Sequence, residues 1–455
     1  MKKSNNDSGL TAKRSYRLLA AGLTAILMAV SGANAQDFAR LGERTIMGTA
    51  RYVGMSGAMS AIGGDPIAVM DNPAGLGLYR RPEMLLTFDY MMDKTIQSGS
   101  DAQRASLFMA PQASALFAFE PEQISDIQFH NFMISYQRLQ SFDRNYYGYA
   151  ENSPSFGDLL NRTLDIDMGV DYPILETNLQ NDLIVKEYGY VNQYAFDYAM
   201  NIRNRWYVGL GLRIQSYTLG SEGDYFEAFD VLSADEQNYS INSVTKFLFT
   251  GAGASLAGGV IYRPLKWLRI GFGIETPSVG SYHATATGIF YAQTDSMRRA
   301  PDTRIRYEER GFHMPLHTST SVAFQISDYA LIALQHDYYH QKQANDRHSL
   351  RLGVEVTPYA GIYLNAGYAF ESTFSKDLVF TADRTMLRQD TYFQNTKQTQ
   401  YISGGVGYRG RWFVAQLAYQ YRAQKLNLYA HENITNPYHI NTDTHRIVFT
   451  FGWHR

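Results

Sequence analysis

Arg446-Ile447-Val448-Phe449-Thr450-Phe451-Gly452-Trp453, two residues from the C-terminus, decides the fold. Successive side chains of an extended chain point to opposite faces, so Ile447, Phe449, Phe451 and Trp453 share one side and Arg446, Val448, Thr450 and Gly452 the other. One face is wholly apolar. The same period of two runs through Phe413, Ala415, Leu417, Tyr419 and Tyr421; through Leu350, Leu352, Val354 and Val356; and through Ile362, Leu364, Ala366, Tyr368 and Phe370. It returns in Trp206, Val208, Leu210, Leu212 and Ile214, and in Leu268, Ile270, Phe272 and Ile274. The protein is read as all-β.

Composition agrees. The 455 residues include 34 Tyr, 25 Phe and 37 Gly, yet mean hydropathy is only -0.30. Aromatics and glycines without net hydrophobicity suit sheets with one apolar face. A formal net charge of -2 lacks the basic excess that nucleic-acid binding requires. With no cysteine, disulfides, thiolate metal sites and thiol nucleophiles are excluded.

Lys2, Lys3, Lys13, Arg14 and Arg17 precede an apolar run from Leu18 to Val30, which ends in Ser31-Gly32-Ala33-Asn34-Ala35. This reads as a signal peptide over residues 1–35, cleaved after Ala35. The run is shorter than the roughly 20 residues a spanning helix needs. No later segment offers such a run either, so membrane residence requires a closed barrel.

The connections alternate in length. Short links lie near 203–205, 263–266, 327–328, 357–360 and 409–410, and long polar stretches near 143–186, 220–243, 291–302, 371–396 and 423–442. Short turns at one end and long loops at the other describe an outer-membrane barrel, with Trp206, Trp267, Trp412 and Trp453 in an interfacial girdle beside the short turns. The strands are placed at 84–94, 106–119, 127–142, 187–202, 205–220, 244–262, 266–290, 303–326, 329–341, 347–357, 361–371, 397–409, 411–424 and 443–453. The reading is an antiparallel transmembrane β-barrel of about 14 strands with both termini periplasmic. Asp89, Asp197, Arg213, Arg269, Glu275, Arg351, Glu355, Arg422 and Arg446 then face the lumen, and their mixed signs predict an internally paired wall.

Residues 36–82 break the alternation with glycines and with Pro66, Pro73 and Pro82, leaving 83–455 for the barrel. A barrel this wide cannot be filled by its wall side chains, so the N-terminal piece is a candidate plug. Here the chain resembles the FadL/TodX family of outer-membrane transporters for hydrophobic compounds. The resemblance rests on Gly48-Thr49-Ala50-Arg51 through Gly54-Met55-Ser56-Gly57-Ala58, and on Asp71-Asn72-Pro73-Ala74-Gly75-Leu76 before the first strand.

That resemblance implies an N-terminal hatch in the lumen, closed by Asn72, Pro73 and Ala74. It also implies that Phe38, third in the mature chain, reaches the ligand pocket. The family releases ligand sideways through an inward kink of the third strand, and no Gly or Pro between Asn131 and Gln140 marks one here. Function is then read as energy-independent uptake of hydrophobic or amphipathic molecules, fatty-acid-like or aromatic. Tyr146, Tyr147, Tyr149, Tyr225, Phe226 and Phe229 are candidate capture residues on loops. Arg351 could pair with a ligand carboxylate or with Glu355 on its own strand face, the structural pairing being favoured.

No catalytic signature stands out and no cofactor or metal is expected. Gly54-Met55-Ser56-Gly57 lacks the final Gly of a nucleophile elbow. His336 and His340 on a strand lie about 13 Å apart, too far for one metal. Besides the ligand, the expected partners are outer-membrane lipid and the barrel-assembly machinery. The alternatives are a non-transporting barrel that shuttles secreted proteins, as PorV-like members do, and a hemin receptor using His336, His340 and loop tyrosines. A TonB-driven receptor would need a far larger plug.

Overall fold

A computed structural model describes residues 40–97, 101–122, 126–153, 180–229, 239–294, 302–340, 346–372, 393–430 and 436–454. The proposed signal peptide and Phe38 lie outside them, as does the side chain of Phe229.

Seventeen strand segments close into one antiparallel barrel. They are β1 (Glu83–Gln97), β2 (Gln103–Phe119), β3 (Ile127–Ser141), β4 (Arg144–Glu151), β5 (Gln180–Ile202) and β6 (Trp206–Phe229). Next come β7 (Tyr239–Leu265), β8 (Leu268–Glu275), β9 (Val279–Thr294), β10 (Asp302–His313), β11 (Leu316–Ser327) and β12 (Ala330–His340). The last are β13 (Arg347–Tyr359), β14 (Ile362–Ser372), β15 (Phe393–Arg409), β16 (Phe413–Tyr429) and β17 (Tyr438–His454). The closing ladder runs β1 to β17, from Glu83 opposite His454 to Gln97 opposite Ile440.

Three staves are interrupted, which reduces seventeen segments to the expected fourteen. Both β3 and β4 pair with β5, both β8 and β9 with β7, and β10 and β11 continue one another opposite β9 and β8. Two breaks fall at Pro277 and Pro315, where a residue without an N–H cannot continue a ladder. They lie side by side, Met314 N–H donating to Ser278 O at 2.9 Å.

The third stave corrects the sequence reading. It breaks at Phe142–Asp143 without Gly or Pro, after a register shift between Arg138 and Gln140. The physical reason is burial. Alternation fails where Leu139, Gln140, Ser141 and Phe142 are buried in succession, so the backbone turns into the lumen. β2 adds a second cause, since its ladder to β3 starts at Gln112, directly after Pro111. Among the described residues, Gln103–Pro111 pairs with β1 alone, leaving an unpaired seam beside the upper third stave.

Several strands outrun their predicted ends. β7 has 27 residues, against the roughly 9–11 that cross a bilayer. The surplus of β4, β5 and β6 folds across the barrel mouth, so parts of 143–186 and 220–243 expected as loops are strand. Gly189 makes this bend, with φ +117 and no room for a Cβ, which would stand 2.3 Å from Thr218 O. Arg144 reaches Gln424 of β16 at 3.1 Å, Gln394 of β15 donates to Glu187 at 2.8 Å, and Tyr438 of β17 bonds Asn181.

The outer face is apolar, with Leu210, Phe272, Leu334, Leu350, Leu417 and Ile447 all exposed. All four Trp are about half exposed at the short-turn end, Trp206 stacking on Tyr262 at 4.1 Å. Such a band suits lipid, not water.

Candidate functional site: the barrel lumen

Residues 40–82 lie against lumen-facing wall side chains all round. The segment carries helices α1 (Ala50–Gly54) and α2 (Pro66–Asp71) and a 3-10 turn (Pro73–Leu78). Thr49 caps α1 and Asp65 caps α2 through their side-chain oxygens, and Thr49 Oγ1 donates to Asp65 at 2.6 Å, so the two helix starts are tied together. Burial raises the carboxyl pKa of both Asp65 and Asp71.

The wall supplies counter-charges and acceptors. Arg51 makes a two-pronged pair with Glu355, at 2.6 and 2.7 Å, and Arg44 meets Glu275 at 2.8 Å. Arg269 donates to Ile62 O at 2.8 Å and Asn131 to Leu76 O at 2.7 Å. Arg351 binds Asp337 at 3.0 Å and the Tyr52 hydroxyl at 2.9 Å, while Tyr52 donates to Asp71 at 2.7 Å. Wall pairs close the balance, Arg213 with Asp197 and Arg446 with Asp89. Most of the mixed-sign lumen is therefore paired, Arg269 and Arg422 having no carboxylate partner among the described residues, but Arg351 and Glu355 do not pair with each other: each holds the N-terminal segment.

Asn72 is fully buried. Its Nδ2 donates to Ser60 O and Val260 O, both at 3.4 Å, and its Oδ1 accepts from Ala74 N at 3.1 Å. This places the Asn72-Pro73-Ala74 turn against three strands whose glycines admit it. A Cβ on Gly259 would stand 1.9 Å from Asn72 Oδ1, one on Gly209 2.4 Å from the Pro73 carbonyl carbon, and one on Gly273 2.4 Å from Asp71 O.

Above the segment the lumen turns apolar. Leu41, Leu139, Phe142, Tyr217, Phe249, Tyr282, Phe312 and Met314 belong to one buried cluster. Phe249 stacks on Tyr282 at 4.8 Å and Tyr217 meets Phe312 edge-on at 5.3 Å. Leu139 and Phe142 carry this cluster to the break in the third stave. Across the seam, Met47, Met91 and Met109 pack together, a soft lining that adapts to irregular shapes. Two cavities open here, each with free volume of about 20 Å³, room for about one water. One is lined by Leu41, Leu139, Tyr217 and Met314, the other by Arg144, Arg347, Arg422 and Gln424.

The proposed capture residues lie on strands of the mouth-closing extension. Tyr146 and Tyr225 are buried, so they are not surface capture groups in this state. Tyr147 donates to Asp182 and Tyr149 to Glu151, each at 2.6 Å, and Phe226 is half-buried. His336 and His340 face outward, next to His348 and Asp346, and do not enter the lumen. Sequence reasoning missed the aromatic cluster. The signal was present, because Tyr217 and Leu219 follow Arg213 on the lumen-facing phase of β6.

No described sequence family matches the chain, and no curated protein does. Solved structures do. A FadL homologue of Pseudomonas aeruginosa superposes with a TM-score of 0.55 at 11% identity, covering 90% of this chain and 99% of that one. The Ralstonia pickettii toluene transporter TbuX gives 0.53 at 14% identity over 90% and 98%. The monoaromatic hydrocarbon channel CymD gives 0.52 at 12% over 91% and 98%. Wall count, closure and coverage together identify the fold: the chain is a FadL-type 14-stranded β-barrel.

Proposed function

We propose that the protein is an outer-membrane channel that takes up hydrophobic or amphipathic small molecules by diffusion, without an energy source. The observation that carries this reading is an aromatic cluster enclosed in the lumen and continuous with an unpaired seam in a lipid-facing wall. An ion pore would be wet and polar throughout. The solved neighbours named for toluene and monoaromatic hydrocarbons lend it support.

In this account residues 36–82 act as a hatch, both termini are periplasmic, and Phe38 enters the apolar pocket from below. Asn72, Pro73 and Ala74 latch the hatch to the wall. Tyr147, Tyr149, Phe226 and Phe229 are the remaining candidates for first contact at the mouth, and the seam between β2 and the third stave is the sideways exit. The test is mass spectrometry of small molecules extracted from purified protein. Apolar compounds retained by the wild type and depleted in Tyr217→Ala/Phe312→Ala are expected. A lumen empty of such compounds in the wild type, with a secreted protein co-purifying, would favour a shuttle instead.

A further inference from the structure

At the short-turn end, one sector of the wall gathers cations that no carboxylate among the described residues bridges. Arg205 closes the turn between β5 and β6, and Arg263 and Lys266 flank the turn between β7 and β8. The two turns lie side by side, Arg263 N–H donating to Arg205 O at 2.8 Å. Arg263 folds over its own turn, with Nη2 donating to Lys266 O at 2.9 Å. Arg80, on the link from the N-terminal segment to β1, reaches Asn204 in the first turn and covers the Phe129 ring at 4.4 Å. Elsewhere at this end the arginines are matched, Arg203 by Asp126 and Arg409 by Glu83. The flanking turns bring Glu120, Glu122 and Asp328, none of which bridges the four cations.

Each of the two turns also stands against lipid-facing rings. Arg205 precedes Trp206 and Lys266 precedes Trp267, both about half exposed on the outer face. Trp206 stacks on Tyr262, the neighbour of Arg263, at 4.1 Å. Tryptophans at a barrel rim sit at headgroup level, and one extended residue spans about 3.3 Å. The charges therefore stand at the depth of lipid phosphates. Guanidinium forks match phosphate oxygens, and an ammonium adds a compact point charge.

We propose that Arg205, Arg263 and Lys266, with Arg80 at the edge, bind the phosphodiester headgroup of an anionic phospholipid whose acyl chains lie along Trp206, Tyr262 and Trp267. This lipid belongs to the surrounding leaflet and is not cargo of the lumen. The inference uses the membrane barrel alone, so it stands or falls separately from uptake.

The test is quenching of tryptophan fluorescence by brominated phospholipids in bilayers that hold the full chain. The chain has 4 Trp, so Trp412→Phe/Trp453→Phe leaves Trp206 and Trp267 as reporters. At low salt, brominated phosphatidylglycerol is expected to quench as though enriched about tenfold or more at these rings over brominated phosphatidylcholine, since each cation near an anionic surface is worth roughly fivefold. Arg205→Gln/Arg263→Gln/Lys266→Gln should abolish the enrichment, and Arg205→Lys/Arg263→Lys, which keeps the charges, should retain part of it. Heat-modifiable gel mobility reports that each barrel is folded. Equal quenching by the two lipids with the patch intact would overturn the inference. So would an enrichment that survives the triple substitution, or one abolished by inorganic phosphate at constant ionic strength, which marks a free-anion site.

Discussion

Replacing Gly259 by alanine should unlatch the N-terminal segment while sparing the barrel. The added Cβ would stand 1.9 Å from Asn72 Oδ1, and ordinary van der Waals contact begins at 3.4 Å, so the amide must retreat about 1.5 Å (3.4 − 1.9). A retreat of that size breaks the bonds to Ser60 O, Val260 O and Ala74 N. Three neutral hydrogen bonds at about 1 kcal/mol each give about 3 kcal/mol, or roughly a hundredfold in the latched-to-open ratio. The chain has no cysteine, so Ala74→Cys, at a fully buried position, provides a single reporter. Its maleimide labelling rate follows the open population when opening is fast relative to labelling. The rate should rise roughly a hundredfold in Gly259→Ala. Gly258→Ala is the control, because its Cβ meets nothing closer than 3.7 Å. Equal labelling in the two variants, with the folded barrel intact by heat-modifiable gel mobility, would refute the latch.

Glu355→Ala leaves the half-buried Arg51 without its carboxylate, which should cost the segment up to about 3 kcal/mol and raise labelling at Ala74→Cys. Phe312→Ala removes a fully buried ring; it should lower stability by roughly 3–5 kcal/mol and retain bulkier ligands, read by mass spectrometry. Burial raises the carboxyl pKa of Asp65 and Asp71. An acid raised on packing holds its proton more tightly in the packed state, so its stabilisation is present at low pH and is lost as pH rises through the raised value. The latched segment should accordingly label more slowly as the pH is lowered through those raised carboxyl values than above them, after correction for thiol ionisation.

Much of the wall was legible because a strand in a barrel obeys one rule, lipid on one side and lumen on the other. Each of the fourteen sequence ranges overlaps one stave, and Pro111 and Pro315 mark the seam and one stave break. What the period could not convey is where alternation stops for tertiary reasons. Leu139 to Phe142 looks like ordinary strand, and the apolar cluster that draws Phe142 inward supplies one of the two causes of the break. Lumen charges were located correctly, yet their partners were not, because Glu355 finds Arg51 and Arg351 finds Asp337 through three-dimensional packing. The wall glycines Gly209, Gly259 and Gly273 looked like strand filler. Their role is fixed by the Asn72 turn, which is remote in sequence.

The central claim is that this barrel lets hydrophobic molecules through an otherwise resistant membrane. The most direct measurement is the initial rate at which cells with an intact lipopolysaccharide layer, lacking a hydrophobic channel of their own, take up labelled dodecanoate or toluene when they express this chain. The account predicts faster entry than the empty vector for at least one compound, reduced by Tyr217→Ala/Phe312→Ala. Entry no faster than the empty vector for either, with the barrel assembled in the outer membrane, would contradict it.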